Sequence, residues 1–77
     1  MKRIILLSDT FGKDIFDAVY MIRNKVNGRK YIGSALLLDD RIRGHRSALK
    51  TGTHPKINLQ YDFNTHGIDS FEVVIIA

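Results

Sequence analysis

Cysteine is absent from the chain, which excludes a disulfide framework and a Cys-based zinc site and removes any argument for an oxidising compartment. Long apolar runs are missing as well. The longest near the N-terminus is Ile4-Ile5-Leu6-Leu7, far below the roughly 18 residues of a membrane span and below the apolar core of a signal peptide, so it reads as a strand. No membrane partner is expected, and the cytoplasm is the expected location. His45, His54 and His66 have neither a compact ligand spacing nor a Cys partner, so zinc is not expected. Gly12-Lys13 does not make a phosphate-binding loop, because Leu7 stands where the first glycine of that motif belongs. There is no internal repeat, low-complexity tract or linker long enough to divide the chain. A single domain spanning residues 1–77 is expected, burying only about two-thirds of its unfolded surface and therefore modest in stability.

What the chain does have is positive charge, unevenly placed. The formal net charge is +4. Residues 1–17 balance three Lys/Arg against three Asp, and residues 61–77 hold Asp62, Asp69 and Glu72 with no base. Between them lie Arg23, Lys25, Arg29, Lys30, Arg41, Arg43, Arg46, Lys50 and Lys56 against Asp39 and Asp40 alone, a local +7. Such a block suits a polyanion, because each neutralised phosphate releases condensed counterions. A merely solvated surface is the competing explanation.

Apolar periodicity predicts the elements. Residues 2–8 form an accessory strand ending at the turn residues Asp9-Thr10-Phe11-Gly12. Residues 13–17 make either a helical turn or a connector. Residues 18–24 return to strand, with Tyr20 and Ile22 on one face and Val19, Met21 and Arg23 on the other. Asn27-Gly28 signals a type I′ hairpin, so Lys30 to Ser34 is the returning strand. A first helix starts near Leu38, where Asp39-Asp40 cap it or stabilise its dipole, and ends before Gly52. Leu38, Ile42 and Leu49 fall within about 40° on its wheel, and Arg41, His45 and Ala48 occupy the neighbouring strip. A second helix begins around Pro55 and closes at His66-Gly67 with a left-handed glycine cap, turning Leu59, Phe63 and His66 inward. Residues 70–76 read as a strand that is apolar on both faces and expects cover on both. The fold class is α+β: a small antiparallel sheet, made of a hairpin, a C-terminal strand and an extra N-terminal strand, packed with two helices.

Ala18-Val19-Tyr20, a hairpin, then Tyr31-Ile32-Gly33-Ser34 resembles the paired strands of the GIY-YIG nuclease family. The likeness continues through Arg41 and His45 on one helix face, His54, Leu59-Gln60, Asn64, Gly67 and Phe71-Glu72, covering residues 18–76 after an N-terminal extension of 1–17. It is similar to phage and intron homing endonucleases, whose setting would be the bacterial host cytoplasm. Chemistry agrees with the set, since phosphodiester hydrolysis needs a group to orient or deprotonate water and a cation to stabilise charge on the phosphoryl oxygens. Arg41 suits the second task, its planar fork matching phosphate; the alternative is a salt bridge to Asp39 or Asp40. The resemblance implies that Tyr20 and Tyr31 position water and contact phosphate, with Tyr20 assisting proton removal; otherwise they are ordinary half-buried strand tyrosines. His45 is a proton acceptor or phosphate donor, or packs beside Leu49. His54 contacts the nucleic-acid backbone, or is a solvated loop residue. Lys30, Arg43, Arg46, Lys50 and Lys56 are the further candidate phosphate contacts, with DNA the expected polymer and RNA the alternative.

One departure stands out. Family members hold a divalent metal, usually Mg2+, through a glutamate on a third helix beyond the final strand, whereas this chain ends at Ala77 and its only glutamate, Glu72, lies inside that strand. No metal ligand is identified, although Asp9, Asp14 or Asp17 of the extension would supply one if that segment folded over the site. The sheet face left bare is expected to be compensated by the N-terminal strand, at the sheet edge or over that face, or by a homodimer or protein partner. Two functional classes follow: a metal-dependent endonuclease domain, and a repurposed fold that binds nucleic acid or regulates a protein without cutting.

Overall fold

The computed structural model describes residues 3–8 and 15–76. Its elements, in chain order, are β1 (Arg3–Leu6), β2 (Phe16–Asn24), β3 (Lys30–Leu37), α1 (Leu38–Thr51), α2 (Ile57–His66), a 3-10 turn (Ile68–Ser70) and β4 (Phe71–Ile75). Alternation sets the long hairpin. Ala18, Tyr20 and Ile22 of β2 are buried, and Tyr20 pairs with Gly33 while Ile22 pairs with Tyr31. The turn differs from the expected type I′. Only Gly28 takes a positive φ, at 74°, and Asn24 closes a longer loop by donating its N–H to the Arg29 carbonyl at 2.9 Å. The Asn24 carboxamide oxygen accepts the Val26 N–H at 2.9 Å, a local bond that competes with a two-residue turn.

The sheet order is β1-β4-β2-β3, with every neighbouring pair antiparallel. The final strand is therefore inserted between the first and second. The extra N-terminal strand adds to the sheet edge beside β4, one of the two positions expected of it, and Leu7 continues the pairing with an N–H to the Phe71 carbonyl at 3.2 Å. One face of the sheet meets the helices. Tyr20, Ile22, Phe71 and Val73 pack there against Leu38, Ile42 and Leu49 of α1 and Leu59 of α2, the stripes that periodicity predicts.

Among the described residues no helix covers the other face, where β4 is expected to have cover. Directly paired residues share a face, so Ile4, Val74, Met21 and Ile32 form a row across all four strands. Val74 is buried by its neighbours at the centre, while Ile32 at the β3 edge is 68 % exposed. Arg23 and Glu72, cross-strand partners on this face, pair at 2.9 Å.

Helix ends follow local chemistry. At the end of α1, Gly52 is left-handed (φ 75°, ψ 21°). Its N–H reaches the Leu49 carbonyl at 3.2 Å and that of Thr53 the Ala48 carbonyl at 2.9 Å, the Schellman pattern. Asp39 and Asp40 make no side-chain cap; they sit in the first turn and act on the dipole. The second helix starts at Ile57, so Pro55 precedes its first turn. Gly67 has φ 81° but ψ 170°, and so opens an extended exit in place of the expected left-handed cap. Among the described residues no helix is long and apolar enough to cross a membrane. The expected turn at 9–12 and the acids Asp9 and Asp14 lie outside the described residues.

Candidate active site

Tyr20 is the centre of the arrangement. It points from β2 to the helical side, only 3 % exposed, and its hydroxyl lies 2.7 Å from His45 Nε2. Glycine at position 33 permits this. A Cβ there would stand 2.6 Å from the Tyr20 hydroxyl and 2.8 Å from Cζ, so any side chain at 33 would displace the phenol. His45 Nδ1 in turn lies 2.8 Å from His54 Nε2, the two rings edge to edge with centroids 5.0 Å apart and planes 23° from parallel. His54 Nδ1 accepts the Lys56 backbone N–H at 3.0 Å.

The structure thus puts His54 to a use that neither sequence alternative described. It is not a solvated loop residue, being 7 % exposed. Both ring nitrogens have partners within the protein, while the residue also lines the cleft. Gln60 fixes the loop that carries it, accepting the His54 N–H at 3.2 Å and donating to the Leu49 carbonyl at 2.9 Å.

Tyr31 has a different partner. Its hydroxyl donates to Asp62 Oδ2 at 3.2 Å, and Arg29 Nη1 lies 3.4 Å from Asp62 Oδ1. Asp62 is 1 % exposed. Sequence reasoning missed it, although its position three residues after Leu59, beside Phe63 on the inward face, marked a carboxylate in need of a buried partner.

Arg41 is exposed one turn before His45 and forms no ion pair among the described residues. The salt bridges that Asp39 and Asp40 offered went to Arg43 instead, whose Nε is 3.3 Å from Asp39 and whose Nη2 contacts Asp40. Tyr20, Tyr31, Arg41, His45, His54 and Lys56 line one cleft of about 280 Å³. Of the remaining candidate phosphate contacts, Arg46 donates to the Leu7 carbonyl at 3.3 Å, and Lys30 and Lys50 are exposed outside the cleft lining.

The electrostatics follow from burial beside cations. Burial pushes the Tyr20 phenol up from its ordinary value, opposed by Arg41. Burial pulls His45 down to about 4, helped by His54 and Arg41. His54 is also lowered, by burial and then Lys56. Both rings are therefore neutral near pH 7. Burial raises Tyr31 as well, with Asp62 adding to the effect and Arg29 opposing it.

The donor set does not build a divalent-cation site. Among the described residues no three of His, Asp and Glu converge. Asp62 is held by Tyr31 and Arg29, Asp40 by Arg43, and Glu72 by Arg23. Asp17 lines a hollow with Arg41 but has no second carboxylate beside it there.

Solved structures share this arrangement of elements. The catalytic domain of homing endonuclease I-TevI matches with a TM-score of 0.74 and 36 % identity, over 79 % of this chain and 65 % of that one. A mutant of the catalytic domain of intron endonuclease I-TevI matches with a TM-score of 0.73 and 36 % identity, over 80 % of this chain and 64 % of that one. A four-stranded antiparallel sheet with two helices on one face is thus the fold of an endonuclease catalytic domain. The chain belongs to the GIY-YIG family, whose catalytic domain matches residues 16–77. It is also 40 % identical over 58 residues to Intron-associated endonuclease 1 of Enterobacteria phage T4, covering 75 % of this chain and 23 % of that protein. The chain therefore spans under a quarter of its curated relative and about two-thirds of the solved domains.

Proposed function

We propose that this chain is a DNA-directed endonuclease domain whose cleft grips one phosphodiester between Arg41, Lys56 and the Tyr20 hydroxyl. The observation that carries the reading is the Arg41 guanidinium, without an ion pair among the described residues, lining the same cleft as a tyrosine held by His45. Arg41 spans two phosphoryl oxygens and stabilises the charge that grows on them as water attacks. Lys56 adds a second cation. Tyr20 touches the phosphate or the attacking water through its hydroxyl, and Tyr31, whose O–H donates a hydrogen bond to Asp62, offers only its oxygen lone pairs. Family resemblance implies a divalent cation, Mg2+ by preference. The residues described do not cage one, and no step here is routed through it.

Supercoiled plasmid incubated with Mg2+ or Mn2+ tests the proposal. Nicking that falls at least about 100-fold in Arg41→Ala is the expected result, the usual cost of removing one such stabilising donor. The lack of three convergent metal-ligand side chains among the described residues favours a second reading, binding without cutting. Intact plasmid with salt-sensitive retardation would establish that reading, and a parallel duplex RNA decides the polymer. If the protein neither cuts nor retards nucleic acid, both readings fall and a protein partner takes their place.

A further inference from the structure

We propose that His54 is a positioning residue that sets the tautomer of His45, so that the hydrogen bond runs from His45 into Tyr20 and the Tyr20 proton faces the cleft. The catalytic consequence rests on the endonuclease reading above; the tautomer does not.

Direction follows from a donor that cannot be reversed. The Lys56 backbone N–H points at His54 Nδ1 from 3.0 Å, and an amide only donates, so Nδ1 carries no proton. A neutral imidazole has one, which is therefore on Nε2. That nitrogen faces His45 Nδ1 at 2.8 Å, so His45 accepts there and holds its own proton on Nε2. Nε2 lies 2.7 Å from the Tyr20 hydroxyl, whose oxygen must accept. The phenolic O–H then turns away from His45, toward the cleft lined by Arg41 and Lys56.

The opposite order would set two N–H groups head to head at His54 Nδ1 in a buried site, a penalty that disfavours it roughly tenfold or more. Rigidity keeps the choice in place, since the His45 and His54 rings lie near-parallel and edge to edge and Gln60 ties the His54 backbone to the last turn of α1. His45 therefore does not receive the Tyr20 proton in the resting site. Its N–H stabilises the phenolate oxygen left when the Tyr20 O–H bond breaks and the proton passes to the oxygen that departs from phosphorus as the P–O bond of the phosphodiester breaks. A second proton on His45 would be buried and would find His54 Nε2–H opposite Nδ1, with Arg41 on its own helix also opposing it, in agreement with its low affinity for protons.

Nitrogen-15 NMR of the imidazole rings in the whole chain near pH 7 is the test, because it reads tautomers without any nuclease assay. Both His45 and His54 should carry their proton on Nε2. His54→Phe keeps an aromatic ring but removes the donor; His45 should then show a mixture of tautomers and titrate above 4 yet still below 6.5, because its burial remains, and the acid limb of any nicking profile should move up with it. A proton on His45 Nδ1 in the native protein would overturn the proposal. So would a His54→Phe variant that folds and leaves the His45 tautomer and titration unchanged. If that variant does not fold, the native tautomers decide alone. Intact plasmid together with Nε2 tautomers would remove the endonuclease reading and leave the relay standing.

Discussion

At the scale of single residues, Gly33 and Tyr20 are one unit. The glycine has no unusual φ; it is required because the phenol passes directly over it. Gly33→Ala should push the hydroxyl off His45, lowering chemical-denaturation stability by about 1–3 kcal/mol and any nicking by at least about tenfold. Asp62 is the second such residue. Asp62→Ala would leave the Tyr31 hydroxyl without an acceptor and Arg29 without its charge, and should cost about 2–4 kcal/mol, read from the urea midpoint; Asp62→Asn should recover part of it. His45 gives a pH dependence of definite sign. Its folded pKa of about 4 lies below the ordinary 6.5, so the unfolded chain binds its proton first. Stability contributed by the neutral ring is complete above 6.5 and declines as the pH falls from 6.5 to 4, with His54 acting in the same direction. The loss is on the order of 2 kcal/mol after discounting for residual solvent contact, and thermal midpoints across that window would measure it. Arg41, His45 and the two tyrosines are visible in sequence because one helical turn and one hairpin place them. The burial of His54 is not, since it depends on the interhelical loop folding back onto α1 and on the Lys56 amide, which no side-chain pattern reveals.

At the scale of elements, apolar periods of 2 and 3.6 were sufficient to locate the hairpin, both helices and the final strand, since those periods are dictated by one shared core. Turns and caps were less legible. Asn27-Gly28 satisfied a two-residue turn on paper, but the buried Asn24 side chain offered its oxygen to the Val26 amide and drew the loop into a longer form. At Gly52 local chemistry and tertiary structure agree, and substitution isolates the cost of the left-handed backbone because no atom lies within 4 Å of its missing Cβ. Gly52→Ala should lower stability by about 1 kcal/mol with the site's NMR signals unmoved.

For the molecule as a whole, the basic middle of the chain, apart from Arg46 with its bond to the Leu7 carbonyl, resolves into two populations. Arg23, Arg29 and Arg43 are occupied by Glu72, Asp62 and the pair Asp39–Asp40. Lys25, Lys30, Arg41, Lys50 and Lys56 form no ion pair among the described residues. Of these, Arg41 and Lys56 share the cleft. If the domain binds duplex DNA there, Lys56→Ala should weaken binding uniformly across sequences and reduce the slope of log affinity against log salt by about 1, as measured by fluorescence anisotropy. Charge counting from sequence located the basic region but could not divide it, because ion pairs such as Arg29–Asp62 join residues far apart in the chain.

The position of β4 also governs how this molecule is made. Of the four described strands a ribosome delivers β1 first, yet among the described residues its sheet neighbour is β4, the fourth in chain order. Until β4 is out, the hairpin and β1 are separated by an empty lane, and Ile22 and Val73 cannot meet. Closure therefore waits for β4 and depends on contacts distant in sequence, the slow kind. A nascent chain would carry the tyrosines and the Arg41 helix for some time before β4 could complete the sheet that holds them in one cleft.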